Sequence, residues 1–295
     1  MTAHCEKEVG ETITSEVMDT LQVEWHPVRK WEASMEFGDQ LKQWRSHRHL
    51  SQLDLALDAG ISARHLSFLE TGRARPSEGM IVRICETLEL PFKIRNELFT
   101  AAGFAPRYLS AEREGIAGLP PLLRDTLLMI LARHAPWPAV AFDADHNILA
   151  ANDGFTGLAD ALGIGIAPGI NMLALVLENG PVRSAIANWP EVAVLFLKRA
   201  RNEARLYGPR SELARRIAIY ENDAEFAALL RNDESERNPP PVITVQLRLG
   251  EAVTNWITTL TAFGSAQEVL TEGIFIEQYF PADDATPAIA DSAGC

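Results

Sequence analysis

This chain lacks long apolar runs, paired cysteines and catalytic signatures, and each absence removes a class of function. No run of about 18 apolar residues occurs, so no helix is expected to span a bilayer. No charged-then-apolar start of the kind that marks a secretory leader occurs either. The three cysteines, Cys5, Cys85 and Cys295, are scattered. With no CxxC and no Cys/His spacing they support neither a disulfide framework nor a metal site, and a reducing cytoplasm is the expected location. Cys85 lies on an apolar helical stretch and is expected to be buried. There is no HExxH, no GxSxG and no kinase signature. Gly163-Ile164-Gly165-Ile166-Ala167-Pro168-Gly169 misses the GxGxxG spacing, follows no strand and precedes no Lys-Ser/Thr, so it reads as a loop. No enzyme activity and no cofactor are expected.

Positive charge is also scarce. Lys and Arg number 27 against 40 Asp and Glu, a formal net charge of −13. The deficit is uneven: residues 37–107 hold ten basic and eight acidic side chains, a net of +2, which leaves −15 for the rest. A basic footprint need only be local to meet nucleic acid, and the acidic remainder limits nonspecific binding. So small a surplus gives useful affinity only in a dimer or at low salt. The length of 295 residues suits two domains, and 47% hydrophobic residues suit an ordinary globular chain.

What the chain does contain is organised around residues 51–72. Two short helices with a tight turn fit this stretch. Ser51 is a good N-cap, its hydroxyl able to accept from an unpaired N–H of the first turn. Leu53, Ala56 and Leu57 fall at i, i+3 and i+4 and are expected to share one buried face. Gly60 ends the first helix through a left-handed conformation. Ser62 caps the second, which runs to about Glu70, and Gly72 closes it. Such a pair is a helix-turn-helix, whose second helix can lie in the major groove of DNA. Leu66 and Leu69 face inward. At about 100° per residue, Arg64, Ser67 and Phe68 face outward, with Ala63 and His65 on the flanks. An arginine can bond two acceptors on guanine, and an exposed aromatic can pack on a thymine methyl. Gln52 suits a phosphate or an adenine edge, and Arg73 and Arg75, on the loop that follows, suit phosphates. The expected contacts to double-stranded DNA are therefore Gln52, Ser62, Ala63, Arg64, His65, Ser67, Phe68, Arg73 and Arg75.

Gln52-Leu53-Asp54-Leu55-Ala56, Gly60-Ile61-Ser62 and Leu66-Ser67-Phe68-Leu69-Glu70-Thr71-Gly72-Arg73-Ala74-Arg75-Pro76-Ser77 together resemble the Xre/Cro/C1-type repressors. The Arg64-His65-Leu66-Ser67-Phe68-Leu69-Glu70 segment is most similar to those that carry a MmyB-like ligand-binding domain. In such repressors an arginine of the first helix pairs with the glutamate ending the recognition helix, and the resemblance places Arg45 and Glu70 in those roles. A buried pair of this kind orients helices and need not add stability.

Residues 36–47 read as the first helix of this domain, with Phe37, Leu41 and Trp44 as its apolar stripe. The His47-Arg48-His49 cluster has no third metal ligand at useful spacing and reads as solvated or phosphate-facing. Ser77 caps a fourth helix to about Leu90, with Met80, Ile81, Ile84, Cys85 and Leu88 inward. Pro91 suits the first turn of a fifth, which Gly103 ends. The expected organisation is an acidic extension at 1–35, a mainly α, five-helix helix-turn-helix domain at 36–104 and a linker at 105–118. An α+β domain follows at 119–283, and a flexible Ala- and Asp-rich tail at 284–295. The extension is either disordered or carries one short helix near residues 16–23, and Trp25 and Trp31 argue that part of it docks.

In the second half, residues 119–134 read as an amphipathic helix with Leu122, Leu123, Leu127, Ile130 and Leu131 as its stripe. The pattern then shortens to period two. Residues 138–143 and 148–152 form a hairpin, and helices follow near 154–162, 172–177, 190–206, 211–220 and 224–231. A loop at 232–241 leads to strands at 243–249, 256–263 and 273–280. This order fits a PAS-like fold over one antiparallel sheet. His134-Ala135-Pro136-Trp137-Pro138-Ala139, Asn152, Asn171-Met172-Leu173, Asn188-Trp189-Pro190-Glu191 and Gln278-Tyr279-Phe280-Pro281-Ala282-Asp283 resemble the MmyB-like domain. One departure stands out: that family often places an acidic residue after asparagine–tryptophan, and here Pro190 intervenes. The resemblance implies an effector pocket for a small molecule, an apolar one such as a fatty acid being a candidate. Trp137, Phe142, Trp189, Phe196, Trp256 and Phe263 either line that pocket or fill an ordinary core. Asn152 and Asn188 either meet the ligand or cap helices. These readings add up to a dimeric, effector-responsive bacterial regulator on an operator. The alternative, which the modest +2 charge favours, is a protein-interaction scaffold or antitoxin-like module.

Overall fold

Serines at helix starts and leucines at helical spacing set the first part of the chain. The computed structural model describes residues 36–108, 115–231, 244–263 and 273–293. The expected helix near 16–23, Trp25, Trp31, residues 109–114 of the linker, the loop at 232–241 and Ile243 lie outside the described residues. Five helices come first: α1 Phe37–His47, α2 Gln52–Asp58, α3 Ala63–Glu70, α4 Glu78–Thr87 and α5 Phe92–Ala101. Ser51, Ser62 and Ser77 accept from the backbone N–H of Asp54, His65 and Met80, closing donors that a helix start leaves unpaired. The Asp54 carboxylate accepts back from the Ser51 N–H at 3.1 Å, which completes a capping box. The Ser51 hydroxyl, donating to the same carboxylate oxygen at 2.6 Å, and then this N–H hold the Asp54 carboxyl below the usual carboxylate range. Pro91 stands at the N-cap of α5, one residue ahead of the expected first turn.

The five helices enclose one apolar cluster that includes Leu41, Leu55, Leu66, Leu69, Ile84 and Phe99. Cys85 is fully buried in it, and desolvation pushes its thiol up to about 12. One expectation fails here. The buried residues of α2 are Leu55 and Ala56, whereas Leu53 and Leu57 are 67% and 76% exposed. The expected Leu53, Ala56 and Leu57 and the buried Leu55, Ala56 and Ala59 both have helical spacing, so spacing could not choose between them; the packing of α2 against α3 and α4 does.

The second half opens with a 3₁₀ turn at Gly115–Gly118 and α6 Pro121–His134. A hairpin of β1 Ala139–Asp143 and β2 Ile148–Ala151 follows. Then come α7 Asp153–Ala161, α8 Met172–Leu177, α9 Pro181–Ala185, α10 Trp189–Tyr207, α11 Glu212–Asn222 and α12 Ala224–Arg231. Strands β3 Thr244–Leu249, β4 Ala252–Ala262 and β5 Ile274–Pro281 precede α13 Thr286–Ala293. The five strands form one sheet in the order β2-β1-β5-β4-β3, every neighbouring pair antiparallel. Strand alternation sorts its two faces. Val140, Phe142, Val245, Leu247 and Trp256 join the helices of the larger core. Ala139, Ala141, Leu149, Ile274 and Ile276 instead meet Leu123, Leu127 and Leu131 of α6.

The α6 stripe is narrower than expected, with Leu122 left 81% exposed. It sits about 100° round the helix from Leu123 and so misses the buried row. Helix α9 was unforeseen, because five residues are too few to show a period. The expected flexible tail is also corrected. Asp283 Oδ1 accepts from the N–H groups of Ala285 and Thr286 and from the Thr286 hydroxyl, Ala290 is buried, and α13 packs on β4, α7 and β3. A capping aspartate and a small apolar face outweigh an Ala- and Asp-rich composition. Among the described residues, no helix is long and apolar enough to cross a membrane, and no three His, Cys, Asp or Glu side chains are grouped to hold a metal.

Candidate nucleic-acid interface and ligand cavity

The first site is the outer side of α3. Its inner side is committed, since Leu66 and Leu69 are almost fully buried. Arg64 is exposed, His65, Ser67 and Phe68 are half-buried, and the Arg64 guanidinium lies 5.3 Å from the centre of the Phe68 ring. Phe68 is therefore a platform beside Arg64 more than a free wedge. Ser62 is exposed as the cap, while Ala63 packs partly against the core. After α3, Gly72 turns at φ +71°. The N–H groups of Arg73 and Ala74 both donate to the Phe68 carbonyl, at 2.8 and 3.1 Å. That places Arg73 and Arg75, both exposed, on a loop anchored to the end of α3.

The helix is held in place from behind. Arg45 grips Glu70 through two bonds, Nε to Oε1 at 2.6 Å and Nη2 to Oε2 at 3.1 Å, and donates through Nη1 to the Leu50 carbonyl at 2.8 Å. The Glu70 side chain is 2% exposed. Its hydrogen bond raises the Arg45 pKa further, which favours the charged guanidinium. Gln52 Nε2 donates to Glu70 Oε2 at 2.7 Å. Gln52 thus joins the pair, because a buried carboxylate still needs its remaining lone pairs filled. Gly38 was also missed by sequence reasoning. A Cβ there would stand 2.6 Å from the Leu69 and Glu70 carbonyls, so glycine is what lets α1 lie against the end of α3. A glycine inside an otherwise regular helix was the available signal.

The second site is an apolar cavity of about 60 Å³ between the helices and the sheet. Phe155, Leu158 and Ala159 of α7, Val192 and Phe196 of α10, and Val245, Leu247 and Tyr279 of the sheet form much of its wall. Beyond the Phe196 wall lies a buried polar chain. His146 Nε2 meets Glu203 Oε2 at 2.7 Å, Arg199 Nη2 meets Glu277 Oε2 at 3.2 Å, and Arg199 Nε lies 3.6 Å from Glu203 Oε1. The Arg199 guanidinium also lies 4.6 Å from the Phe196 ring centre. Neither the three charged groups nor His146 stood out in the sequence, because they come from α10, β5 and the β1–β2 turn, far apart along the chain.

Residues 123–292, more than half of the chain, match the family described as the MmyB-like transcription regulator ligand binding domain. The chain belongs to this family. Residues 36–98 match a helix-turn-helix domain model, so this MmyB-like chain joins a helix-turn-helix module to the ligand-binding domain. No curated protein matches it. Among solved structures it is similar to an RNA-binding light-oxygen-voltage receptor, at 14% identity and a TM-score of 0.25. That match covers 88% of this chain and 61% of that chain, so the regulator spans about three fifths of that chain's length, and so low a score carries no argument.

Of the eight expected ligand residues, only Phe196 lines the MmyB-like cavity. Asn152 caps α7 by accepting from the Phe155 N–H, accepts from the Ala139 N–H and donates to the Leu131 and Trp137 carbonyls. Asn188 pins α10 to β3, donating to the Thr244 carbonyl and accepting from the Gln246 N–H. Trp189 donates to the Val176 carbonyl and stacks under Arg183, whose guanidinium lies 3.6 Å from the ring. Trp256 is fully buried, donates to Thr254 Oγ1 and meets Trp137 edge-on at 6.2 Å. Phe142 is fully buried between His146 and Phe275. Phe263 packs with the α6 cluster on the opposite face of the sheet. The tryptophans and Phe142 went to the core, where large aromatics bury the most area; the cavity is lined mostly by aliphatics, with Phe155, Phe196 and Tyr279 among them. The His47-Arg48-His49 expectation is corrected in part: His47 and Arg48 bond backbone carbonyls, while His49 is exposed as expected, in a left-handed turn at φ +57°.

Proposed function

We propose that this chain is a homodimeric regulator of transcription that reads a two-part operator and is switched by a small apolar effector, and that it is not an enzyme. The carrying observation is the exposed Arg64 on a helix whose leucines are buried and whose end is fixed by the Arg45–Glu70–Gln52 cluster. A rigid helix with a free arginine is suited to bidentate bonding of guanine. The net of +2 over the DNA-binding half favours two copies, with recognition helices about 34 Å apart on one face of the duplex. Native mass spectrometry reads the subunit count and any retained ligand together. Selection of duplexes from a random pool yields the operator, and a salt titration on it gives a log–log slope that steepens with each phosphate neutralised. A monomer that selects no duplex would sink this reading.

A protein-interaction scaffold is the second reading. It is favoured by Leu53 and Leu57, which lie exposed one turn apart on α2. The same titration separates the two, because a protein-binding face gives no steep dependence of duplex binding on salt.

A further inference from the structure

Helix α10 touches both halves of the molecule. It has 19 residues, about 28 Å at 1.5 Å per residue. Near its start, Val192 and Phe196 form part of the cavity wall. In its middle, Arg199 to Glu277 and Glu203 to His146 key it to the sheet and to the β1–β2 turn. Burial works against the Arg199 charge, and the Glu277 and Glu203 carboxylates outweigh it, raising its pKa.

At its far end α10 meets the DNA-binding domain. The Arg205 carbonyl is among the last four of the helix, which have no partner within it. It accepts from His47 Nε2 at 2.9 Å and from Arg48 Nη1 at 3.4 Å. The same guanidinium donates through Nε to the Leu88 carbonyl at 2.9 Å and through Nη2 to the Glu89 carbonyl at 3.2 Å, both at the end of α4. One side chain thus closes two helix C-termini, one from each domain, where the helix dipole favours a cation. Just beyond, Gly208 at φ +83° lies against the Trp44 indole, and a Cβ there would stand 2.6 Å from the ring. Trp44 belongs to the core of the DNA-binding domain. The next residue of α1, Arg45, holds Glu70 at the end of α3.

We propose that the Arg205–Gly208 end of α10, seated on Trp44, His47 and Arg48, is the joint through which effector occupancy reaches the DNA-reading helix. This rests on the regulator reading given above. An effector larger than the roughly 60 Å³ cavity must displace its walls, α10 among them. A close-packed helix transmits that shift to its far end. Hydrogen bonds fail within a few tenths of an ångström of stretch, so the joint is either made or broken. The effector biases that balance by its different affinity for the two states.

The test is a double-substitution cycle in the full-length protein. Ala159→Phe fills the cavity and stands in for an effector, with Ala159→Met as the milder filler should the first variant not fold. Arg48→Met breaks the joint, with His47→Ala as the second joint variant. One readout is affinity for the duplex that the parent selects from a random pool. The other is the distance between spin labels at exposed Glu86 and Asp160, with Cys5 and Cys295 replaced. Filling the cavity is expected to change duplex affinity about fivefold or more in the parent and less than about twofold in the joint variants. Arg48→Met alone is expected to broaden the label distances. A cavity effect of equal size in both backgrounds, no cavity effect in the parent, or distances unchanged by Arg48→Met overturns the joint. A parent that selects no duplex overturns the regulator reading instead, and the label distances then still decide the joint.

Discussion

Arg64 and Arg73 carry charge on the same domain but are placed for different work. Arg64 stands on the helix, beside the Phe68 ring; Arg73 stands on a loop tied to the Phe68 carbonyl. Arg64→Ala should cost about 1–3 kcal/mol per half-site and relax base preference at one position. Arg73→Ala should weaken all duplexes alike and reduce the salt slope by about 1. Competition between selected and scrambled duplexes over a salt series separates the two outcomes. Arg45→Ala acts on folding instead. It leaves the Glu70 carboxylate buried with Gln52 as its remaining side-chain donor, and should destabilise the protein by about 3 kcal/mol, read by urea unfolding. The Arg45–Glu70 pair was legible from the family resemblance. Gln52 was not, because an amide serves a carboxylate as readily as a phosphate and only the fold decides which lies within reach.

Helix α13 shows what a run of residues can hide. Its composition argued for a frayed end, yet Asp283 accepts three hydrogen bonds at its start and Asn255 donates to the same carboxylate at 2.6 Å. Those bonds, led by the Thr286 N–H, hold the Asp283 carboxyl below its usual 3.8. A depressed pKa means that this stabilisation is complete above about pH 4 and is lost as pH falls through the lowered value. Amide protection in residues 286–290, relative to the intrinsic exchange rate at each pH, should therefore fall on acidification before that of the β-sheet amides, and Asp283→Ala should bring that loosening to neutral pH. Unchanged exchange in the variant would show that Ala290 packing alone holds the helix. At this scale most elements were readable. Alternating Val245, Leu247 and Leu249 announced β3, and Ser62 and Gly72 bracketed α3. The failures share a cause: α2 and α9 are shorter than two turns, and a pattern of so few residues does not define a face.

For the whole molecule, charge and punctuation suggested two domains, while the apolar cavity was not legible in the sequence. Aromatic residues were the visible candidates, and the fold spends them on the core. The cavity is made by residues such as Ala159, Val182 and Ile186 that no one-dimensional pattern distinguishes from ordinary packing. The proposed two-copy operator binding leads to one more expectation. Mixing parent protein with an excess of Arg64→Ala subunits should poison operator binding in proportion to subunit exchange, as followed by fluorescence anisotropy. If parent molecules bound independently, the variant would leave their signal untouched.

The narrow cavity also has a kinetic meaning. Pockets that hold drug-sized molecules run to about 300 Å³ and more, whereas this one is about 60 Å³. A visiting molecule of that size finds no vacancy on arrival and must wait for the walls to part. Its observed rate of capture should then rise with concentration only until it equals the rate at which the interior opens, and stay level above that point. The height of that plateau measures a property of the empty protein, and should be the same for every effector it accepts.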